Sequence, residues 1–140
     1  MGMRHRRKRF WKNESGTVMV EFAIVAGVFV VLMFGMIEFG LMFWQKNMVT
    51  EAARMGTRYA IVRGSESGRV ADTASVSAYV RSRASLSPIT VTTTWPTDKD
   101  PGSFVDVKVE YTHRLSTPFL GFVIPSTMAI KSSSRMVIVF

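Results

Sequence analysis

Residues 18–44 contain no lysine or arginine, and 22 of these 27 positions are apolar. The five exceptions are Glu21, Gly27, Gly35, Glu38 and Gly40. Roughly 20 apolar residues in a helix cross the hydrocarbon core of a bilayer. The stretch 22–37 runs for 16 residues without a polar side chain, 14 of them apolar and two glycine, and residues 39–44 carry the apolar character past Glu38. A core helix of a globular domain has a polar face at helical spacing, and this segment has none. The sequence therefore predicts a membrane-spanning helix. In a chain of 140 residues that leaves room for one modest domain beside it.

Charge gives the span a direction. Of 18 lysines and arginines, six fall in the first 16 residues: Arg4, Arg6, Arg7, Lys8, Arg9 and Lys12. Basic residues next to a span stay on the cytoplasmic side. The N-terminus is thus expected inside and residues 45–140 outside. A basic run also suits nucleic acid, but directly before a membrane helix it reads as a topology signal, and no nucleic-acid partner is expected. A cleaved secretory signal has an apolar region of 7–15 residues followed by a small-x-small site. Here the run is longer and no such site follows. The absence of cysteine excludes a disulfide framework and thiolate metal sites.

Glu21 needs a reason, because an ionised group in hydrocarbon costs several kcal/mol, on the order of 3 or more. It stands five residues after Gly16, in "SGTVMVEF". One reading lets Glu21 snorkel into the headgroup layer. The alternative comes from a resemblance: a basic leader, this glycine and the apolar run together resemble the prepilin-peptidase site of type IV pilins. That resemblance implies cleavage between Gly16 and Thr17 on the cytoplasmic side. It also implies pairing of Glu21 with the terminal amine of a neighbouring subunit. Glycine suits the cleavage site physically, since it lacks a Cβ and lets the backbone lie extended in a protease cleft.

No proline interrupts the chain from Thr17 to Val62, so the helix is expected to run on beyond the bilayer. Small residues recur at Ala52, Gly56 and Ala60, four apart on one face, which permits close approach of another element. Glu51, Arg54 and Arg58 fall on the solvated side. Gly16 with Glu21-Phe22, then Glu38-Phe39-Gly40, then Ala52-Ala53-Arg54-Met55-Gly56-Thr57-Arg58 resemble the TadE-like family of pseudopilins from tight-adherence (Flp pilus) systems. The resemblance covers residues 15–63. It implies a minor pseudopilin of the bacterial inner membrane. Its expected partners are the prepilin peptidase, other pseudopilins, the major pilin and the assembly platform proteins. Leu41 and Met42 depart from the family's habit of a basic residue after the Gly40 position. Glu38 has two readings: contact with outer-leaflet water, or charge pairing between helices in an oligomer.

Downstream, "GSESG" at 64–68 reads as a loop. A second helix is expected over 69–85, packing through Ala71, Ala74, Ala78 and Val80 and ending at Ser87-Pro88. The period then changes to two. Ile89, Val91, Thr93 and Trp95 share one face; Val105, Val107, Val109 and Tyr111 alternate with polar residues; Met128, Ile130, Met136 and Ile138 are in phase over 127–139. The expected fold is α+β: a long N-terminal transmembrane helix continuing into a small pilin-like head with a short helix and a three-stranded antiparallel sheet. The expected divisions are a cleaved leader (1–16), the span (17–44), its continuation (45–63) and the head (64–140). Residues 117–126, apolar between Pro118 and Pro125, read either as a buried connection or as an exposed contact loop.

The sequence offers little for catalysis. His5 sits in the leader and His113 stands alone in a strand, with no clustered carboxylates, nucleophile elbow or phosphate-cradling loop. No enzyme activity, cofactor or metal is expected. The rival to a processed pseudopilin is an uncleaved single-pass signal anchor carrying a ligand-binding extracytoplasmic domain.

Overall fold

A computed structural model describes residues 14–115 and 125–139. Helix α1 spans Glu14–Ile61. Its 48 residues make it about 72 Å long at 1.5 Å per residue. Helix α2 follows at Thr73–Arg83, then strands β1 (Ile89–Thr94), β2 (Phe104–Arg114) and β3 (Thr127–Val137). The strands form an antiparallel sheet in the order β1-β2-β3. The α+β architecture is the one expected.

The strands obey their alternation. Ile89, Val91 and Thr93 of β1 and Val105, Val107 and Val109 of β2 are buried, and their neighbours face solvent. On β3 the inward positions Ile130, Ser132, Ser134 and Met136 are only half-buried, and Met128 is exposed despite its phase. Ile138, just beyond the strand, is buried. Where α1 crosses β3 the contact is made by small hydroxyl residues in place of bulk. The Thr57 hydroxyl lies 2.8 Å from the Ala53 carbonyl one turn back and 3.1 Å from that of Ser134. Thr50 Oγ1 and Ser132 Oγ are 3.1 Å apart. On the outward face Lys108 and Lys131 flank Glu110 at 2.8 and 3.3 Å, and Arg135 meets Asp106 at 3.0 Å.

Helix α2 is shorter than expected. Asp72 caps it by accepting from the Ser75 backbone N–H, while Ser75 Oγ accepts from the Asp72 N–H. That reciprocal box fixes the start at Thr73 and leaves 69–71 outside the helix. Ala84 closes it ahead of the proline. As a result Val76 and Val80, four apart, form its buried face together with Ala71 from the preceding loop, and Ala74 and Ala78 point to solvent. The core lies where the upper part of α1 and, beside it, α2 pack on one face of the sheet, around Val49, Ala52, Ala53 and Ala60. Residues 117–124 of the apolar connection lie outside the described residues.

Candidate functional site

Two parts of α1 behave differently. From Gly16 to Ile37 no side chain is buried by the rest of the chain. Phe22 is 72% exposed, and Val, Leu, Ile and Met residues line every side. This is the one helix among the described residues long and apolar enough to cross a membrane. Residues 17–37 alone extend about 31 Å, close to the roughly 30 Å of a bilayer core. Gly16 and Thr17 lie in the first turn of α1, where backbone N–H groups have no partner within the helix. Glu21 is exposed one turn above Thr17, on the same side.

At Glu38 the helix changes character. Glu38 is 4% exposed, beneath the head. His113 is among its partners: Nε2 lies 2.7 Å from Oε1, and both side chains are almost wholly buried. Neither reading of Glu38 from sequence describes this contact, which joins the anchor to the head within one chain. The signal was nevertheless present. Glu38, Met42, Gln45, Val49, Ala52, Gly56 and Ala60 follow one another at steps of three and four, so Glu38 begins the stripe that faces the head. His113 continues the inward series Val105, Val107, Val109, Tyr111. In a setting that excludes water, a hydrogen bond is electrostatically stronger than the same bond in water.

The small residues of that stripe set the spacing above. Ala52 and Ala60 are buried to within 2%. A Cβ on Gly56 would stand 2.8 Å from Val80 Cγ2 and 2.9 Å from Val107 Cγ1, inside van der Waals contact with both α2 and β2. Gly56 is therefore the point where helix, helix and sheet meet. Tyr59 and Tyr79 stack beside it with centroids 4.3 Å apart, and Arg63 lies over the Tyr59 ring.

The family model for TadE-like proteins matches residues 16–58. Over this segment the chain is similar to TadE-like proteins. The match opens at Gly16, covers the exposed span, the Glu38 junction and most of the small-residue stripe, and stops before α2. The head beyond the TadE-like segment is thus described by its own geometry. No curated protein and no solved structure is significantly similar to the chain. Among the described residues no group of three or more histidines and carboxylates is placed to hold a metal ion.

Proposed function

We propose that the chain is a minor pseudopilin that takes part in assembly of a tight-adherence (Flp-type) pilus, processed by a prepilin peptidase between Gly16 and Thr17. The observation that carries this reading is the TadE-like match beginning at Gly16 and running through an apolar helix with no covering of its own. The scissile bond sits in the first turn, the part of a helix that frays most readily. Cleavage creates an ammonium group at Thr17, one turn below the Glu21 carboxylate. Two such helices from neighbouring subunits neutralise each other's charges when packed in register, at a depth where an isolated charge is expensive. Residues 45–140 then lie on the extracytoplasmic side of the inner membrane, with other pseudopilins, the major pilin and the assembly platform as partners.

Intact-mass spectrometry of the protein purified from a host with an active prepilin peptidase tests the reading. The expected N-terminus is Thr17, and Gly16→Leu abolishes processing. An N-terminus at Met1 in the wild type overturns the proposal and leaves an uncleaved signal anchor. Glu21→Ala is expected to be processed normally yet to lose co-purification with partner pilins.

A further inference from the structure

Above the span, helices α1 and α2 close their seam with the Tyr59–Tyr79 stack. Below the stack α2 ends at Arg83, and a notch opens between the two elements. Half-buried Met48 and Met55 of α1 and Leu86 beyond α2 give it apolar walls. Its two rims are exposed and opposite in charge, with Glu51 on the α1 side and Arg83 on the α2 side. Neither makes an ion pair among the described residues. The Arg83 guanidinium stands over the Tyr79 ring, 5.3 Å from its centroid. We propose that this notch is the interface of a homodimer, in which Glu51 of each copy meets Arg83 of the other.

Symmetry selects a second copy, and this argument rests on the membrane-spanning reading above but not on cleavage at Gly16. Two copies anchored in one bilayer run parallel, so the twofold axis that relates them lies along the membrane normal. Rotation about such an axis keeps every residue at its own height. Glu51 and Arg83 border the same notch, so within one chain they stand at one level. Half a turn about the mouth of the notch brings the α2 rim of one copy against the α1 rim of the other. The contact is reciprocal, and each dimer gains two Glu51–Arg83 pairs. Two rims of a single sign would instead repel their own copy.

The walls suit the same occupant. Methionine side chains are unbranched and adaptable, and Met48 and Met55 lie about two turns apart on one flank of α1. They can pack against the same residues of a facing copy. Below them that flank continues through exposed Trp44 and Leu41. Glu51 stands about 21 Å above Ile37, well beyond the roughly 5–8 Å polar layer of a leaflet. The ion pairs therefore form in water, where each contributes little. They choose partner and register, while the apolar contact and the parallel anchors hold the copies together.

Because the chain has no cysteine, disulfide cross-linking tests the interface. The full chain with Met48→Cys is co-expressed with C-terminal tags of two lengths, and inner-membrane vesicles are oxidised with copper phenanthroline. The expected product is a linked dimer, including the species that joins both tag lengths; Ser133→Cys, on the outer sheet face, gives none. Added to Met48→Cys, Glu51→Arg or Arg83→Glu slows cross-linking about tenfold, since two attractive pairs become repulsive. Combining the two exchanges the charges and restores the original rate. Arg81→Glu, an equal charge change on the same helix, leaves it unaltered. Failure to link the two tag lengths, a cross-link to a different protein in their place, or a rate indifferent to charge reversal overturns the proposal. So does a double exchange no faster than the single variants. Resistance to alkaline carbonate extraction is scored on the same vesicles. Its loss would strike the membrane-spanning reading itself, whereas a resistant protein without the linked dimer refutes the interface alone.

Discussion

A single methyl group added at Gly56 collides with two valines from two different elements. The neighbours are branched side chains in a closed core, so relief requires α2 or the sheet to move. Gly56→Ala is expected to destabilise the head by about 1–3 kcal/mol, read as a lower midpoint in thermal unfolding of the detergent-solubilised chain. Glu38 and His113 give a different signature. Removing one member takes a buried hydrogen-bond partner from the other, so His113→Leu alone is expected to cost roughly 1–3 kcal/mol. In Glu38→Leu/His113→Leu most of that loss is recovered, because an apolar pair replaces a satisfied polar one. If the double variant is no better than the worse single, the two residues do not act as a pair. The separate series that hold Glu38 and His113 can each be read from the sequence. Their meeting cannot, since 75 residues separate them and periodicity says nothing about which faces oppose.

Helix α2 illustrates how a short element takes its limits from its caps. Its apolar content is meagre, and only Val76 and Val80 are buried. The Asp72–Ser75 box therefore decides where it starts. The Ser75 hydroxyl, followed by its backbone N–H, holds the Asp72 carboxyl below the usual carboxylate range. Since the folded value is the lower one, the cap stabilises the head fully above the unfolded pKa and loses that contribution as pH falls through the folded value. Asp72→Ala is expected to lower the unfolding midpoint at pH 7, with the difference from wild type shrinking below about pH 4. Circular dichroism across pH checks this; a difference that persists undiminished at pH 2 refutes it. Strands β1 and β2 were legible from alternation because each buries one face against a helix. Strand β3 was legible in phase but not in depth, since serines at 132 and 134 occupy its inner face. The start of α2 was misplaced because alanines weigh equally as core and as solvent-facing helix formers, and the cap signal is weaker than the apolar one.

One helix organises the whole molecule. Its lower half presents apolar side chains to its surroundings, and its upper half is the spine on which α2 and the sheet are assembled. The boundary between these roles falls at Glu38, several residues before the apolar sequence itself ends at Trp44. Hydropathy marks where the apolar sequence ends; the fold marks where the head begins to cover the helix. Because the chain has no cysteine, single substitutions can map the boundary. In intact membranes, Met33→Cys is expected to resist an impermeant maleimide, while Asn47→Cys reacts from the extracytoplasmic side. Equal labelling at both positions would refute a membrane span within residues 17–44.

The continuity of α1 has a mechanical consequence. Between anchor and head there is no linker to stretch, so tension applied at the foot of the helix reaches the packed layers at once. The load runs parallel to the strands and is resisted by sliding of the sheet along its spine. Rupture under such a pull would begin as shear at the lower end of that interface, with the buried acid–imidazole contact as its first rivet.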